Sequence, residues 1–405
     1  MPVHVLALLV GLFLCVITMV DAFETVILPR RPKGRFRLTR VYYILTWTPW
    51  AAMGKRLTAP KSREQLFSIF GPLSLLCLFL VWASVLIAGF ALILFGLGTP
   101  YADSSLPPGT HLAANLRTDL YVSGTTLTTL GPGDVVPRRQ AARLLMVAES
   151  GTGLGFVALV ISYVPVLYGA FSRREVSVAL LDARAGSPPT AAELLARHSF
   201  AGGEDALISL LTEWERWSAE ILESHISYPI LCFYRSQHDN QSWLAALTTI
   251  LDTCALLITT IEGPASRQAQ LTFAIARHAI IDLCHVFKLD PAAALVDADP
   301  QRDRLPSERF GRLCSAMTAT GIRLCSGQGS ASRLSSIRRL YEPQVGALSD
   351  HLCLSLPNWI ADPKPTDPWH RVASLRSDNL EAVLGSSHLS QQSAAFTAEA
   401  EEHAH

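Results

Sequence analysis

Hydrophobic positions are gathered in blocks along this chain. Three long, mostly apolar stretches come first: "VHVLALLVGLFLCVITMV" at 3–20, "GPLSLLCLFLVWASVLIAGFALILFGLG" at 71–98 and "AARLLMVAESGTGLGFVALVISYVPVLYGAF" at 141–171. Each is long enough, as a helix, to cross a hydrocarbon layer of roughly 30 Å. The pattern changes after residue 175. Apolar residues then recur at helical spacing over 206–226, 243–261, 271–287 and 309–325, separated by breaks such as "AGSPPT" and "EGPAS". Strand-like alternation is scarce, so the predicted fold class is an all-α membrane protein with an α-helical domain after the spans. The stretch 243–261 approaches spanning length, but Asp252 sits at its centre. A central Asp costs about 3 kcal/mol on insertion scales, which predicts a buried core helix instead.

Charge adds an orientation. The chain has 405 residues, is 49% hydrophobic, and balances 34 basic against 34 acidic side chains. A neutral total gives no reason to expect a nucleic-acid partner. The connection 21–65, however, carries ten Lys and Arg between Arg30 and Arg63, against few acids. Basic short loops stay on the cytoplasmic side. The N-terminus is then expected outside, the loop 99–140 outside, and "SRRE" at 172–175 back in the cytoplasm, with Arg138 and Arg139 a minor exception. The first stretch has no Lys or Arg ahead of it and no clear small-x-small cleavage site, so a retained anchor is expected rather than a cleaved signal. Within the basic loop, residues 40–57 mix Tyr42, Tyr43, Trp47 and Trp50 with cations. Two readings stand: an interfacial helix that couples the cytoplasmic part to the membrane loop and its spans, or a plain loop with a few buried aromatics. The eight cysteines are scattered singly, without CxxC pairs. That fits reduced thiols and gives no zinc-ligand spacing.

The loop between the second and third stretches carries the chemistry. Irregular backbone survives at membrane depth only where it is buried in protein or lines a wet path. "TDLYVSGTTLTT" at 118–129 predicts a short helix, with Thr118 as N-cap and Asp119 in the first turn. Its C-terminal, electronegative end would point into the membrane. The chain then has to climb back as "TLGPGD", where Gly131 and Gly133 can take left-handed backbone angles and let successive carbonyls point one way. A ring of such carbonyls replaces the hydration shell of a cation.

This run, "LYVSGTTLTTLGPGDVVP", resembles the pore helix, selectivity filter and outer mouth of the potassium-channel pore-loop family. The resemblance covers roughly residues 66–172. By that resemblance Thr129, Leu130, Gly131, Pro132 and Gly133 fall on the ion-coordinating positions, Thr128 on the filter base and Asp134 on the outer-mouth acid. It implies a homotetramer, four loops round one axis, with monovalent cations, potassium first, as the permeant species. It implies no other metal and no cofactor. The departure is Pro132, where the family carries Tyr or Phe. Proline keeps its carbonyl but loses its N–H and the aromatic ring that in the family braces the filter. The paired Trp of the pore helix is also replaced, by Tyr121 or Val122.

The third stretch adds gating candidates. Gly153, between Gly151 and Gly155, falls where the family has a hinge glycine; the alternative is close packing through small residues. Pro165 is expected to kink the helix near the cytoplasmic mouth. Glu149 is an ionisable residue inside a span, read as a brace to the pore helix through Thr125 or Thr126, as a tuner of the cavity field, or as a protonated structural acid.

The predicted organisation is an N-terminal anchor at 1–22, a basic linker at 23–65, a pore domain at 66–172 with its pore loop at 115–137, a helical cytoplasmic domain at 173–380 and a disordered tail at 381–405. The domain holds His198, His225, His238, His278 and His285 without a diagnostic metal spacing. No strand–GxGxxG–helix pattern and no arginine-repeat helix occurs in it, so its ligand stays unassigned. The chain is expected to be a multi-pass membrane protein and a passive cation channel, not an enzyme. A weakly selective channel and a membrane-anchored sensor with a degenerate pore are the alternatives.

Overall fold

A backbone in hydrocarbon must satisfy its own hydrogen bonds, so the apolar stretches have to become helices. They do. The computed structural model describes residues 2–28, 37–103, 107, 111–112, 115–131, 133–237, 241–260, 263–290, 303–320, 322 and 328–361. Pro132, His238, Asp239 and the predicted tail at 381–405 lie outside the described residues. Among the described residues three helices are long and apolar enough to cross a membrane: α1 (Pro2–Val26), α3 (Pro60–Leu97) and α5 (Gln140–Ala185). Between the first two lies α2 (Leu38–Arg56).

The first span is more than a tether. It lies along α3 on a seam of small residues that lets the two backbones approach. A Cβ on Gly11 would stand 2.5 Å from the carbonyl oxygen of Gly89, and one on Gly96 2.7 Å from that of His4. At the other end Asp21 is buried and accepts hydrogen bonds from the Thr39 amide (3.0 Å), the Thr39 hydroxyl (2.6 Å) and the Trp82 indole (3.0 Å). One carboxylate therefore ties α1, α2 and α3 together.

The aromatic segment of the linker is helical. Trp47 of α2 packs against Phe67 and Phe70 of α3 and against Phe233, and its indole donates to the His351 carbonyl (2.8 Å). The helix thus touches both halves of the chain.

The loop after α3 contains a small antiparallel sheet, which the sequence reading did not anticipate. Strands β1 (Tyr101–Asp103), β2 (His111–Leu112) and β3 (Val135–Pro137) pair in the order β2-β1-β3, with Tyr101 opposite Pro137. Two or three residues are too few for alternation to register. This sheet closes the loop that holds the short helix α4 (Leu116–Leu127), the element expected to be a pore helix.

The rest is helical: α6 (Ala191–Arg197), α7 (Gly203–Ser227), a 3₁₀ turn (Pro229–Phe233), α8 (Trp243–Thr260), α9 (Pro264–Phe287), α10 (Ser307–Ala319), α11 (Gln328–Arg338) and α12 (Glu342–Leu352). Helix α8 is the core of this bundle, with both its apolar residues and Asp252 buried. Asp252 receives both guanidinium nitrogens of Arg304 and the Tyr341 hydroxyl (2.5 Å). A carboxylate so paired explains how an apolar helix of near-spanning length carries an acid at its centre.

Candidate ion-conducting site

Helix α4 begins three residues earlier than its sequence cues imply. Asn115, not Thr118, is the N-cap; its side-chain oxygen accepts from the Arg117 amide (3.1 Å). Asp119, in the first turn, is buried and receives the Tyr101 hydroxyl from β1. The sheet thereby fixes the start of the pore helix. At the far end the chain turns sharply. The Thr129 amide donates to Thr126 O (3.0 Å) and the Gly131 amide to Thr125 O (3.0 Å).

Those turns need left-handed backbone. Thr129 has φ 60° and Gly131 has φ 78°. Gly131 adopts this at no steric cost. A β-branched threonine there is a rare conformation that costs on the order of 1–2 kcal/mol, and such strain gathers at functional sites. Thr128, Thr129, Leu130, Gly131, Gly133 and Asp134 are all exposed in the single chain, Leu130 to 80%.

Polar bonds hold α4 to its neighbours. The Ser123 hydroxyl lies 2.9 Å from Ile87 O of α3 and within bonding distance of the Glu149 carboxyl of α5. One hydroxyl hydrogen cannot serve two acceptors. Both contacts are satisfied when Glu149 carries a proton and donates to Ser123. The brace from Glu149 therefore reaches Ser123. Thr125 and Thr126, the partners expected from sequence, turn their hydroxyls back onto α4, to Tyr121 O and Val122 O. The Tyr121 hydroxyl donates to Asp134 (3.0 Å), linking α4 to the acid that follows the glycine loop. Sequence reasoning noted Tyr121 only as a replaced tryptophan and did not name Ser123. Ser123 shares the buried face of α4 with Asp119 and Thr126, a helical spacing that was available to find it.

Gly153 is buried against the C-terminal end of α4. A Cβ there would meet the Leu127 carbonyl oxygen at 1.9 Å, whereas Gly151 and Gly155 face open space. Helix α5 runs unbroken through Pro165 and past residue 172 to Ala185. Of the two arginines that break the expected charge pattern, Arg139 donates its guanidinium to Leu97 O at the end of α3 (2.7 Å), while Arg138 donates only its backbone amide to Pro100 O (3.0 Å) among the bonds of the described residues. A cation at a helix C-terminus complements the dipole.

The inner end of α5 is clamped to the bundle. Buried Arg174 donates to Leu231 O and Tyr234 O, both at 2.8 Å, pairs with Glu175 (2.8 Å), and lies 3.3 Å from His225. Burial, and then the Arg174 charge, hold the His225 pKa well below its ordinary value. No group of three or more metal-ligating side chains occurs among the described residues.

Comparison with known proteins agrees with this geometry. Residues 80–167 match the model of a family described as "Ion channel". The "Uncharacterized membrane protein YdjJ" of Bacillus subtilis (strain 168) is 27% identical over 296 residues, which is 70% of this chain and 78% of that protein. No solved structure matches the chain. A span, a short helix, a glycine loop and a second span stand in that order across the matched segment, so residues 80–167 of this membrane protein are similar to the unit of a pore-loop ion channel.

Proposed function

We propose that the protein is a passive, homotetrameric channel for monovalent cations, with potassium as the principal ion. The observation that carries this is the exposure of Thr128, Thr129, Leu130, Gly131, Gly133 and Asp134 beyond the C-terminal end of α4, with left-handed backbone at Thr129 and Gly131. Carbonyls aimed one way, at the negative end of a helix dipole, form a cation site only when several chains contribute. An apolar strip on α5 supports assembly: Leu144, Val147, Leu154 and Ile161 are each about two-thirds exposed or more in the single chain. In this reading Thr129, Leu130, Gly131, Pro132 and Gly133 offer the carbonyls, and Asp134 concentrates cations at the mouth. The N-terminus lies outside and the helical bundle in the cytoplasm. No chemical step and no cofactor is involved.

A second reading, weak selectivity, is favoured by the bracing pattern. The filter's outer end is tied by one exposed hydrogen bond, Tyr121 to Asp134, where the family uses an aromatic cuff. Flux from proteoliposomes tests the first reading: a well-folded tetramer that passes no cation refutes it. Reversal potentials in mixed sodium and potassium separate the two. A strongly selective wild type rejects the second reading. A weakly selective wild type whose ratio is unmoved by Pro132→Tyr rejects the role given to Pro132.

A further inference from the structure

Where the spans meet the bundle there is a cavity of about 500 Å³, a volume typical of small-molecule sites. Its walls come from the end of α1, the start of α2, the middle of α3, one residue of α5 and the ends of α7, α9 and α12. Leu75, Leu78, Phe79 and Trp82 of α3, with Tyr163 of α5, form an apolar surface on the spanning helices. The remaining lining is more polar and includes Arg40 of α2 and Lys288, the cap of α9. Both cations are exposed, and neither forms an ion pair with a described residue. The acids nearby are engaged: Glu24 lies 3.5 Å from Arg37, and Asp282 lies 3.4 Å from His278 and 3.8 Å from His285. Most of this lining lies outside residues 80–167, so the cavity is not part of the matched pore unit.

We infer that this cavity binds an anionic phospholipid from the leaflet next to the bundle. An acyl chain lies along Leu75–Trp82 and Tyr163, and the phosphate is held by Arg40 and Lys288. A soluble anion would leave the apolar surface unfilled. A zwitterionic lipid would leave the two cations without net compensation. Because Arg40 belongs to the linker helix and Lys288 to the bundle, one bound headgroup bridges them. Occupancy therefore fastens the bundle to the spans at a point distinct from the Arg174 clamp.

The test needs no conductance, so its failure is separable from failure of the channel reading. The full chain is placed in phosphatidylcholine nanodiscs doped with brominated phosphatidylglycerol or brominated phosphatidylcholine. Trp47 and Trp82 both line the cavity and report contact with bromine by quenching. Each cation near an acidic lipid strengthens attraction about fivefold, so the wild type is expected to prefer the acidic lipid by up to about 25-fold. Arg40→Gln with Lys288→Gln is expected to erase the preference, and each single substitution to reduce it. Both side chains are exposed, and a melting curve verifies that the variants are folded. Equal quenching by the two lipids, or a preference that survives the double substitution, overturns the inference. Displacement of the brominated lipid by glycerol phosphate would assign the site to a soluble phosphate and equally reject it.

Discussion

Gly153→Ala puts the contact between inner helix and filter base to a quantitative test. A Cβ at this position lies 1.9 Å from the Leu127 carbonyl oxygen and 2.8 Å from its carbon, while ordinary contact begins near 3.4 Å. The alanine methyl therefore needs a separation of about 1.5 Å. The obstacle is backbone at the end of α4 and cannot rotate aside as a side chain would. Overpacking of this kind costs about 1–3 kcal/mol, more where backbone has to shift. Within the single chain Gly151 and Gly155 meet open space, and there, unless another subunit packs on that face, the alanine gains about 1 kcal/mol of helix propensity. The three substitutions should thus differ in sign. Melting of the purified full chain is expected to fall for Gly153→Ala, by about 2–4 °C per kcal/mol, and to hold or rise for the other two. Cation flux should fall with it, because the displaced carbonyl belongs to the residue that precedes the filter base. If Gly153→Ala melts with the wild type, the packing argument is wrong. If it melts normally and changes only open probability, the glycine serves as a bending point instead.

Other residues give independent checks. Glu149→Gln keeps a donor for Ser123 and should leave melting within about 0.5 kcal/mol of wild type, whereas Glu149→Ala should cost about 1–3 kcal/mol by leaving buried polar groups unpaired; equal behaviour of the two rejects a protonated Glu149. Asp252→Asn leaves Arg304 buried without its counter-charge and should destabilise the bundle by about 3–5 kcal/mol, while Asp252→Leu with Arg304→Met should recover most of that; calorimetry of both variants decides. His225 resists protonation in the fold because of burial and Arg174, with Ser224 and the Trp243 ring as its other close neighbours. Stability linked to it is complete above the unfolded value of about 6.5 and is lost as pH falls from there, at up to about 1.4 kcal/mol per pH unit. His225→Gln should flatten that slope between pH 6.5 and 5, and an unchanged slope excludes His225 as its source.

Much of the membrane half was legible because hydrocarbon imposes one rule on every backbone group. The three long apolar helices, and the short helix with its glycine turn between the last two, follow from apolar length and from where irregular backbone is tolerated. Asp252 likewise marked α8 as a core helix, since a lone acid in lipid is costly. Pairings between distant residues were not legible. Asp252 and Arg304 are 52 positions apart, and nothing in periodicity selects that arginine among the others. Ser123 was missed because Thr125 and Thr126 offer the same hydroxyl chemistry one turn nearer the filter. Only the rotation of α4 decides which hydroxyl faces Glu149. Asn115 was missed as a cap because Thr118 and Asp119 carry an equally good local signal, and the competition is settled by Tyr101 holding Asp119 from the sheet.

Helix α5 has 46 residues, about 69 Å at 1.5 Å each, more than twice the hydrocarbon thickness. Gly153 and Arg174 stand on this one rod, so the filter base and the bundle share an angular phase. Insertion of a single residue after Phe171 would turn Arg174 by about 100° from the carbonyls of Leu231 and Tyr234, while seven residues would return it to within about 20° but about 10 Å farther along. A twist applied by the bundle would travel up the same rod to the Leu127 carbonyl, so the proposed channel would respond to torque as well as to pull.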